Sequence, residues 1–505
     1  MLINKKFIIT SVVGLAVGMS SCKKYLDVNN NPNVAHAVTV QTLLPAAQLY
    51  VGTSLGVDLQ IDGSIWAQYW TQTPIASQYI AVEQFATGQD AFYYPWSNLY
   101  AGAENFYQLS ILADSLKKKP YQAIALLMQA YTFQVITDGW GDAPFTQALK
   151  GQYSDGHFIN PKYDSQRVIY NGILGYIDSA NKLMAAGGVW PGADDLIYGG
   201  SHTKWQKFSN TLKLKVLLRL AKIDPAGAEA KIDTLYKSNP SFIRDSDDAA
   251  INYGANSNNK SPLYAEASSA TLASIQNLAG SKTCIDSMNS NNDPRAFLFY
   301  EPLANGNVTG IAQGTYNISL PGGSYSLPSV YVAGDAGNSA SANAPVNFLT
   351  SWESYLMQAE VVARGWQPSS SGYIDDSLFK FGVKANFNYK FYKDSLISLW
   401  GSPTPFDDYW AGGGYWTAYP TGGSVEDRIR FIITQKWFAM CGNQGFEAWT
   451  EWRRTGYPDF LVHPPSSLIG NQFPRRFLYP TTESTANVAF PGLQPITSKV
   501  WWDIL

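Results

Sequence analysis

Charged residues are scarce in this sequence. Of its 505 residues, 36 are Lys or Arg and 39 are Asp or Glu, or 15% of the chain, against roughly 25% in a typical soluble domain. There is no block of like charges and the formal net charge is −3, which excludes nucleic acid or another polyanion as the main partner. Uncharged polar residues, 16 Trp, 31 Tyr and 24 Phe take the place of charge. This composition suits neutral ligands such as sugars.

Signatures of catalysis are also missing. The four histidines are not spaced for a metal site, and no G-x-S-x-G elbow, P-loop or H-E-x-x-H motif occurs. The adjacent aspartate pairs are sequence neighbours, which usually point apart, whereas a glycosidase needs two converging carboxylates. We therefore expect a binding protein without catalytic or metal-ligating residues. An enzyme and a structural or adhesion protein stay open as alternatives. The histidines are His36, His157, His202 and His463, and the pairs are Asp194/Asp195, Asp247/Asp248 and Asp407/Asp408.

Long apolar runs are absent after the N-terminus, since no later segment offers ~18 uninterrupted apolar residues for a membrane span. The first 22 residues, MLINKKFIITSVVGLAVGMSSC, combine two lysines, an apolar run of secretory length and a pair of serines directly before Cys22. This pattern resembles a bacterial lipobox, although Met19 stands where Leu is usual.

Three regions follow from this pattern. We predict a lipoprotein signal peptide at 1–21, a lipidated, polar tether at 22–34 and a single domain at 35–505. Diacylation of Cys22 would anchor the chain stably, because two acyl chains hold a protein on a membrane where one binds only marginally.

Two further cysteines remain, Cys284 and Cys441. We expect two buried free thiols, because Cys441 sits in a predicted aromatic helix. A disulfide between them stays open, since an oxidising compartment permits one and the sequence does not show whether they are close.

Apolar periodicity predicts a mainly helical chain. Small residues at the expected crossings, such as Ala359 and Ala363, favour pairs of antiparallel helices, as in tetratricopeptide-like repeats. Long Gly/Ser/Asn/Pro stretches between the helices predict a loop-rich, irregular face that binds the ligand. The predicted helices cover 120–137, 204–223, 346–366, 425–441 and 445–454, and the main loops cover 252–282, 301–345, 367–375 and 401–424.

Several motifs occur in order along the chain. They are ITDGWGDAPFTQAL (136–149), KWQKFSNTLKLKVLLRLA (204–221), NNDPRAFLFY (291–300), SYLMQAEVVARG (354–365), ITQKWFAMCGNQGFEAWTEWRRTGYPDF (433–460) and FPRRFLYPTTESTAN (473–487). Each motif alone is weak, but the ordered set behind a lipobox cysteine resembles the SusD/RagB family over nearly all of the mature chain. The segment NNDPRAFLFY resembles the family's Asp-x-Arg motif, which stands at the start of a strand.

The resemblance implies a fold, a location and a function. Members are outer-membrane lipoproteins with a tetratricopeptide-like helical scaffold, and they are not enzymes. They sit on a TonB-dependent, SusC-like transporter and capture glycans, or sometimes peptides, for import. For this chain the resemblance implies a lipid-anchored, surface-exposed protein of the cell outer membrane that delivers a neutral oligosaccharide to such a transporter. A peptide or a glycoconjugate stays open as the ligand.

We interpret two arginine pairs in these motifs as structural residues. Arg453 and Arg454 are placed to pair with Glu447 or Glu451 one turn back. Arg475 and Arg476 precede Tyr479, where a guanidinium can stack on a ring or fork onto a carboxylate. Binding of an anionic ligand by either pair stays open as the alternative.

Three segments carry rings and amides suited to sugars, because pyranose C–H faces stack on aromatic rings and amides bond hydroxyl pairs. Helical spacing places the first three rings of segment 66–79 on one face, and packing of that face into the core is the alternative. The candidates are Trp66, Tyr69, Trp70, Gln78 and Tyr79 in segment 66–79; Tyr409, Trp410, Tyr415 and Trp416 in 406–416; and Tyr325 and Tyr331 in 322–331.

Three other aromatic rings are assigned to the core, and one loop is considered as a metal site. We expect Tyr93, Trp96 and Tyr100 to be core residues, because they lead into a helix. No cofactor is expected. A structural Ca²⁺ at the Asp/Asn-rich stretch 286–293 is a further expectation, although its spacing departs from an EF-hand loop.

Overall fold

The computed structural model describes residues 38–152, 156–254, 256, 258–267, 276–367, 372 and 374–505. It divides the chain into two compact units, Met1–Thr39 and Val40–Leu505, and the architecture that follows is that of the second unit. The predicted signal peptide, the lipidation site Cys22 and the tether 22–34 lie outside the described residues.

Helices dominate the second unit, which confirms the predicted fold class. Within the described residues, no helix is long and apolar enough to cross a membrane. The helices up to residue 267 are α1 (Val40–Gly56), α2 (Asp58–Trp66), α3 (Ile80–Glu83), α4 (Tyr93–Ser115), α5 (Lys119–Trp140), α6 (Gln166–Ala185), α7 (His202–Arg219), α8 (Pro225–Lys237) and α9 (Pro262–Ala267). Those beyond it are α10 (Lys282–Asn289), α11 (Arg295–Phe299), α12 (Ser351–Ala363), α13 (Asp375–Phe387), α14 (Lys393–Trp400), α15 (Pro405–Ala411), α16 (Val425–Ala439), α17 (Gly445–Thr455) and α18 (Thr481–Ala486).

The described strands are short and form antiparallel pairs. They are β1 (Trp70–Gln72) with β5 (Leu278–Gly280), β2 (Ala143–Pro144) with β3 (Tyr163–Asp164), and β4 (Ala249–Ile251) with β6 (Val346–Leu349). In the first pair Trp70 lies opposite Gly280. The first and third pairs join segments that are distant in sequence, whereas β2 and β3 are near neighbours along the chain.

Helix α5 is the central helix of the scaffold. It packs against α4 on one side and α6 on the other, and every residue from 131 to 140 is buried. Pro120 stands in its first turn, where a missing N–H costs nothing. Gly141, with φ of 88°, ends it in a backbone conformation that favours glycine.

Two motif segments differ from their predicted structure. Segment 346–366 is not one helix: 346–349 forms β6, and Thr350 then caps α12 by accepting from the backbone N–H of Glu353. Segment 291–300 is a turn followed by the short helix α11 rather than the entry of a strand. The predicted helix 425–441 begins at Val425 as expected, because Ser424 and Asp427 form a capping box before it.

The C-terminal segment of the domain packs against its N-terminal segment. The side-chain amide of Gln68 bonds both backbone groups of Val462. Trp140 donates from Nε1 to the carbonyl of Leu478 at 2.9 Å, and Phe477 packs between Trp66 and Trp140. The aromatic core therefore needs both ends of the domain.

A buried ion-pair network joins the helices at the centre of the domain. Arg219 on α7 bonds Asp138 on α5 at 3.2 Å, Glu447 on α17 at 2.7 Å, and Glu451 on the same helix. Lys215, one turn earlier on α7, bonds Glu447 at 3.0 Å. Since α5, α7 and α17 are distant in sequence, these bonds specify how the helices meet.

Glu451, like Arg219, has three ion-pair partners in this network. Besides Arg219 it accepts from Lys436 on α16 at 3.0 Å and from Arg454 at 2.8 Å, and Arg454 also bonds Glu360 on α12 at 2.7 Å. Burial alone would raise the pKa of Glu451, but Arg454, Lys436 and Arg219 together hold that pKa well below its ordinary value. The carboxylate is therefore charged and compensated inside the protein.

The structure assigns the other predicted arginines to architecture as well. Arg453 does not pair with a glutamate; its guanidinium lies 3.5 Å from the ring centroid of Trp449 and donates to the carbonyl of Arg475 at 2.9 Å. Arg476 stacks over the ring of Tyr479, at 5.0 Å from the centroid, as predicted. Arg475 lies over the ring of Trp452 and bonds the carboxylate of Asp503 at 3.3 Å, which also agrees with the prediction.

The two cysteines are buried, free and adjacent. The sulfur atoms of Cys284 and Cys441 lie 3.8 Å apart, and the hydroxyl of Tyr300 lies 3.3 Å from the second sulfur. The expectation of two buried thiols is confirmed, and the structure adds their proximity.

Replacing Glu451 by Gln tests the network. We expect Glu451→Gln to lower the free energy of unfolding by about 3–5 kcal/mol, because buried cations lose their counter-charge. Chemical denaturation measures this. The control is Lys237→Ala in the exposed i,i+4 pair with Asp233, which should cost less than about 0.5 kcal/mol. Equal, small effects of both substitutions would refute a structural role of the network.

Candidate ligand-binding site

The first predicted ring cluster lies in the core. Trp66 and Tyr69 are buried; Trp66 packs edge-on against Trp449 at 4.8 Å and donates from Nε1 to Val82 O at 3.1 Å. Trp70 is buried in β1. The assignment of these three rings to a ligand is therefore wrong, because a buried ring has no open face for a sugar. The expected helix also ends at Trp66, so the rings do not share a helical face.

Gln78 and Tyr79 from the same segment do reach the surface. Gln78 is exposed, and its backbone N–H donates to Oδ1 of Asn277 at 3.3 Å. Tyr79 is half-buried, and its backbone N–H donates to Oε1 of Gln72 at 2.6 Å. Both remain candidates for ligand contact.

The second ring cluster is divided between core and surface. Tyr409 and Trp416 are buried, and Tyr409 stacks on Phe387 with centroids 5.5 Å apart, which corrects their assignment to the ligand. Trp410 is half-buried beneath the ammonium of Lys380. Tyr415 is 56% exposed. The last two rings remain candidates.

The third segment is divided in the same way. Tyr325 is buried in a small separate cluster with Ala279 and Ile311, so its assignment to the ligand is also wrong. Tyr331 is half-buried and meets the edge of Phe391 at 6.3 Å. Tyr331 remains a candidate.

An open groove lies elsewhere, at the end of α14, and we call it the Trp400 groove. Its volume is ≈ 460 Å³. The walls come from the end of α10, the turn before α11, the loop at 303–309 and the last residue of α14. The lining residues are Asn289, Asn292, Asp293, Phe297, Asn307, Val308, Thr309 and Trp400.

Local backbone chemistry positions the groove. Trp400 ends α14 because Gly401 takes the left-handed conformation, with φ of 72°, and its N–H closes the helix on Ile397 O. The indole is left half-buried at the rim, 6.0 Å from the ring of Phe297. Asn292 also has positive φ, 51°, which asparagine tolerates.

The groove offers amides and one compensated carboxylate. The side chains of Asn289, Asn292 and Asn307 are exposed, and Asn289 donates from Nδ2 to Val308 O at 3.0 Å, which ties α10 to the loop. Asp293 is buried and bonded to Arg295 at 2.6 Å. An indole face beside exposed amides and no uncompensated charge suits a neutral, hydroxyl-rich ligand.

Both acidic side chains of 286–293, the stretch expected to hold a structural Ca²⁺, are paired with cationic side chains. Asp286 lies within α10 and pairs with Lys282 at 2.6 Å, while Asp293 is engaged by Arg295. Across the described ranges, no three or more His, Cys, Asp and Glu side chains are grouped to hold a metal ion.

Sequence reasoning missed the Trp400 groove. Trp400 stands at the end of a short helix, and its groove partners lie about a hundred residues earlier, at 289–309. The available signal was a Trp-Gly step that ends a helix together with an Asn-rich turn, but nothing in the sequence places them side by side.

An acidic pair on α2 lies near Tyr79. Asp58 and Asp62 are one turn apart, and none of the ion pairs among the described residues includes either of them. Burial and then the charge of Glu266 raise the pKa of Asp58 to about 6. Burial and then Asp58 raise the pKa of Asp62 well above its ordinary value. Ionised carboxylates in this position destabilise the fold.

Comparison with known proteins gives a family match and structural matches. The profile of the SusD-like family, described as "Starch-binding associating with outer membrane", matches residues 32–480. No curated protein matches the chain significantly.

Several solved structures share the fold. A SusD homologue from Bacteroides fragilis is 22% identical, with a TM-score of 0.74, over 92% of this chain and 99% of its own. A chitin-binding protein is 24% identical, with a TM-score of 0.72, over 91% of this chain and 100% of its own. A chitin-binding SusD homologue from Flavobacterium johnsoniae is 21% identical, with a TM-score of 0.72, over 91% of this chain and 98% of its own. These matches agree with the predicted tetratricopeptide-like helical scaffold.

Removing the charge of Asp58 should stabilise the protein in a pH-dependent way. Because its folded-state pKa, about 6, exceeds the ordinary 3.8, the folded state binds the proton more tightly and stability falls as the pH rises between these values. We expect Asp58→Asn to raise the free energy of unfolding by about 1–3 kcal/mol at pH 7.5, with little gain at pH 4. Denaturation at both pH values measures it.

Asp427→Asn is the control, because its effect on the free energy of unfolding should have the opposite sign. Hydrogen bonds from the side chain and backbone of Ser424 lower the pKa of Asp427, so this substitution should destabilise at neutral pH and lose its effect in acid. The same pH profile for both variants would contradict the assignment.

Proposed function

The chain belongs to the SusD-like family of starch-binding, outer-membrane-associated proteins, and on that premise we propose that it binds a neutral oligosaccharide in the Trp400 groove. The observation that carries the proposal is the groove itself, an indole face bordered by exposed asparagine amides and free of uncompensated charge. Stacking supplies affinity for a pyranose ring, and the amides supply hydrogen bonds to its hydroxyls.

The composition and the comparisons support a saccharide ligand. Because the chain has few charged residues, its surface provides few counter-charges for an ionic ligand. Two of the structurally similar proteins are described as chitin-binding, and a neutral polysaccharide of that class is compatible with the amides of the groove. The surface rings Tyr79, Tyr331, Trp410 and Tyr415, with Gln78, are proposed as secondary contacts for a longer chain.

Binding without turnover agrees with the groove's chemistry. Glycoside hydrolysis needs two carboxyl groups roughly 5–9.5 Å apart across the bond. Among the described residues that line the groove, Asp293 is the one with a carboxylate, and Arg295 engages both of its oxygens. We therefore propose a receptor that leaves its cargo intact.

Location and partner complete the proposal. An acylated Cys22 would hold the domain on the outer membrane, with the cargo passed to a TonB-dependent, SusC-like transporter. The family's association with the outer membrane supports the location.

Loss of the indole should weaken ligand binding. We expect Trp400→Ala to reduce affinity for the preferred neutral oligosaccharide by about 1–3 kcal/mol, by analogy with other stacking contacts. Calorimetry over a panel of malto-, cello- and chito-oligosaccharides measures it. Asn307→Ala, in the loop that lines the same groove, should weaken binding by about tenfold through lost hydrogen bonds.

Tyr415→Ala is the comparison variant. This exposed ring lies outside the groove and is proposed only as a secondary contact for a longer chain, so binding of oligosaccharides that fill the Trp400 groove alone should be unchanged. Melting temperatures of all three variants establish that they are folded. Wild-type affinity in Trp400→Ala and Asn307→Ala would reject the groove, and loss of affinity in Tyr415→Ala alone would move the site to 406–416. A wild-type protein that binds no oligosaccharide of the panel would reject the function.

Cys22→Ser tests the anchor. We expect the substituted chain to lose its acyl groups and to leave the membrane fraction, because the thiol is the attachment point. Mass spectrometry of the N-terminal peptide and fractionation of cells measure this. A membrane-bound Cys22→Ser protein would contradict lipid anchoring, and the absence of a co-purifying barrel from the wild-type membrane fraction would contradict the transporter partnership.

A further inference from the structure

A second open groove lies at the start of α4, and we call it the Tyr93 groove. Its volume is ≈ 400 Å³, and the described residues that line it differ from those of the Trp400 groove. Its walls come from the first turns of α4, the segment between β2 and β3, and α18. The lining residues are Tyr93, Trp96, Ser97, Tyr100, Pro144, Ala148, Leu149, Ile159, Pro161, Thr482, Glu483, Ala486 and Asn487.

Aromatic rings form one wall of this groove. Trp96 is buried, as expected for a core residue, but Tyr93 is 38% exposed because α4 begins there. The assignment of Tyr93 to the core is therefore wrong. Tyr100 is half-buried and donates to Pro144 O at 2.8 Å, which holds its ring at the groove.

A single charge faces these rings. Among the described residues that line the groove, Glu483 is the one that carries a charge. Its Oε1 accepts from Trp96 Nε1 at 3.3 Å and its Oε2 accepts from the hydroxyl of Tyr163 at 2.5 Å. Both donors are neutral, and none of the ion pairs found within the described ranges includes Glu483. The carboxylate is thus oriented but not neutralised.

The tyrosines around this carboxylate stay protonated. Burial first, and then the hydrogen bond to Glu483, raise the pKa of Tyr163, and burial followed by the charge of Glu483 raises the pKa of Tyr100 well above its ordinary value. The groove therefore presents one negative charge among neutral rings and apolar side chains. A ligand that matches it carries one positive charge beside an apolar face.

We propose that the Tyr93 groove binds an amino sugar, with its protonated amine on Glu483 and its pyranose face on Tyr93. An amino sugar carries the ammonium directly on a ring with an apolar C–H face, so charge and stacking are satisfied within one residue. Asn487, Ser97 and Thr482 border the same groove and offer partners for the ring hydroxyls. The inference extends the proposed saccharide binding to a second site of different charge specificity.

The test compares two ligands that differ in charge. A fully deacetylated glucosamine oligomer and the N-acetylated oligomer of the same length are titrated by calorimetry into the wild-type chain, Glu483→Gln and Trp400→Ala. We expect Glu483→Gln to weaken binding of the glucosamine oligomer by about tenfold or more, since a charge-assisted contact is lost. Binding of the N-acetylated oligomer should be unchanged in Glu483→Gln. Added salt should weaken the glucosamine complex selectively.

Neighbouring tyrosines provide a matched second pair of variants. Tyr93→Ala removes an exposed ring that lines the groove, and Tyr94→Ala removes a ring that is 67% exposed and does not line it. We expect only Tyr93→Ala to weaken binding of the glucosamine oligomer. These surface substitutions keep the test valid if Glu483→Gln fails to fold.

Several outcomes would overturn the inference. They are wild-type affinity for the glucosamine oligomer in Glu483→Gln or in Tyr93→Ala, equal dependence of the N-acetylated oligomer on Glu483, and Glu483-dependent binding of a lysine peptide in preference to the amino sugar. Failure here is distinct from failure of the proposed function, because neutral oligosaccharide binding that depends on Trp400 would persist without any effect of Glu483.

Discussion

Charge compensation inside the core is the constraint on which the rest of this structure depends. Glu451 accepts from three cations that belong to α7, α16 and α17. A buried carboxylate of this kind is tolerated only where each partner arrives in the right place, because an unpaired charge in the interior is costly. The network therefore specifies one arrangement of helices that hydrophobic packing alone would fix less strictly.

A scaffold specified in this way leaves its surface loops free to vary. The Trp400 groove is built from helix ends and turns, and so is the Tyr93 groove. None of the described residues that line either groove belongs to the ion-pair network of Arg219 and Glu451. Ligand chemistry can consequently change at the rim, from neutral amides in one groove to a lone carboxylate in the other, without disturbing the contacts that hold the helices.

Fold and site differ in how far the sequence predicts them. The helices at 120–137, 425–441 and 445–454 were predictable, because apolar periodicity and capping residues are local signals. The ligand rings were not, because composition does not distinguish a tryptophan in the core from one at a rim. Trp66 and Trp70 lie in a segment rich in glutamine and free of charge, yet both are buried. Nothing in the sequence around Trp400 indicates a groove, because the residues that line the groove with it lie about a hundred positions away.

The closure of the N-terminal helices by the last part of the chain has a consequence for biosynthesis. Gln68 is satisfied by Val462, and Trp140 by Leu478, so contacts of very high sequence separation complete the core. A nascent polypeptide that lacks its final segment cannot reach this state, and formation of such distant contacts is slow because long loops must close first. The complete core therefore forms only after the last segment of the domain has been synthesised.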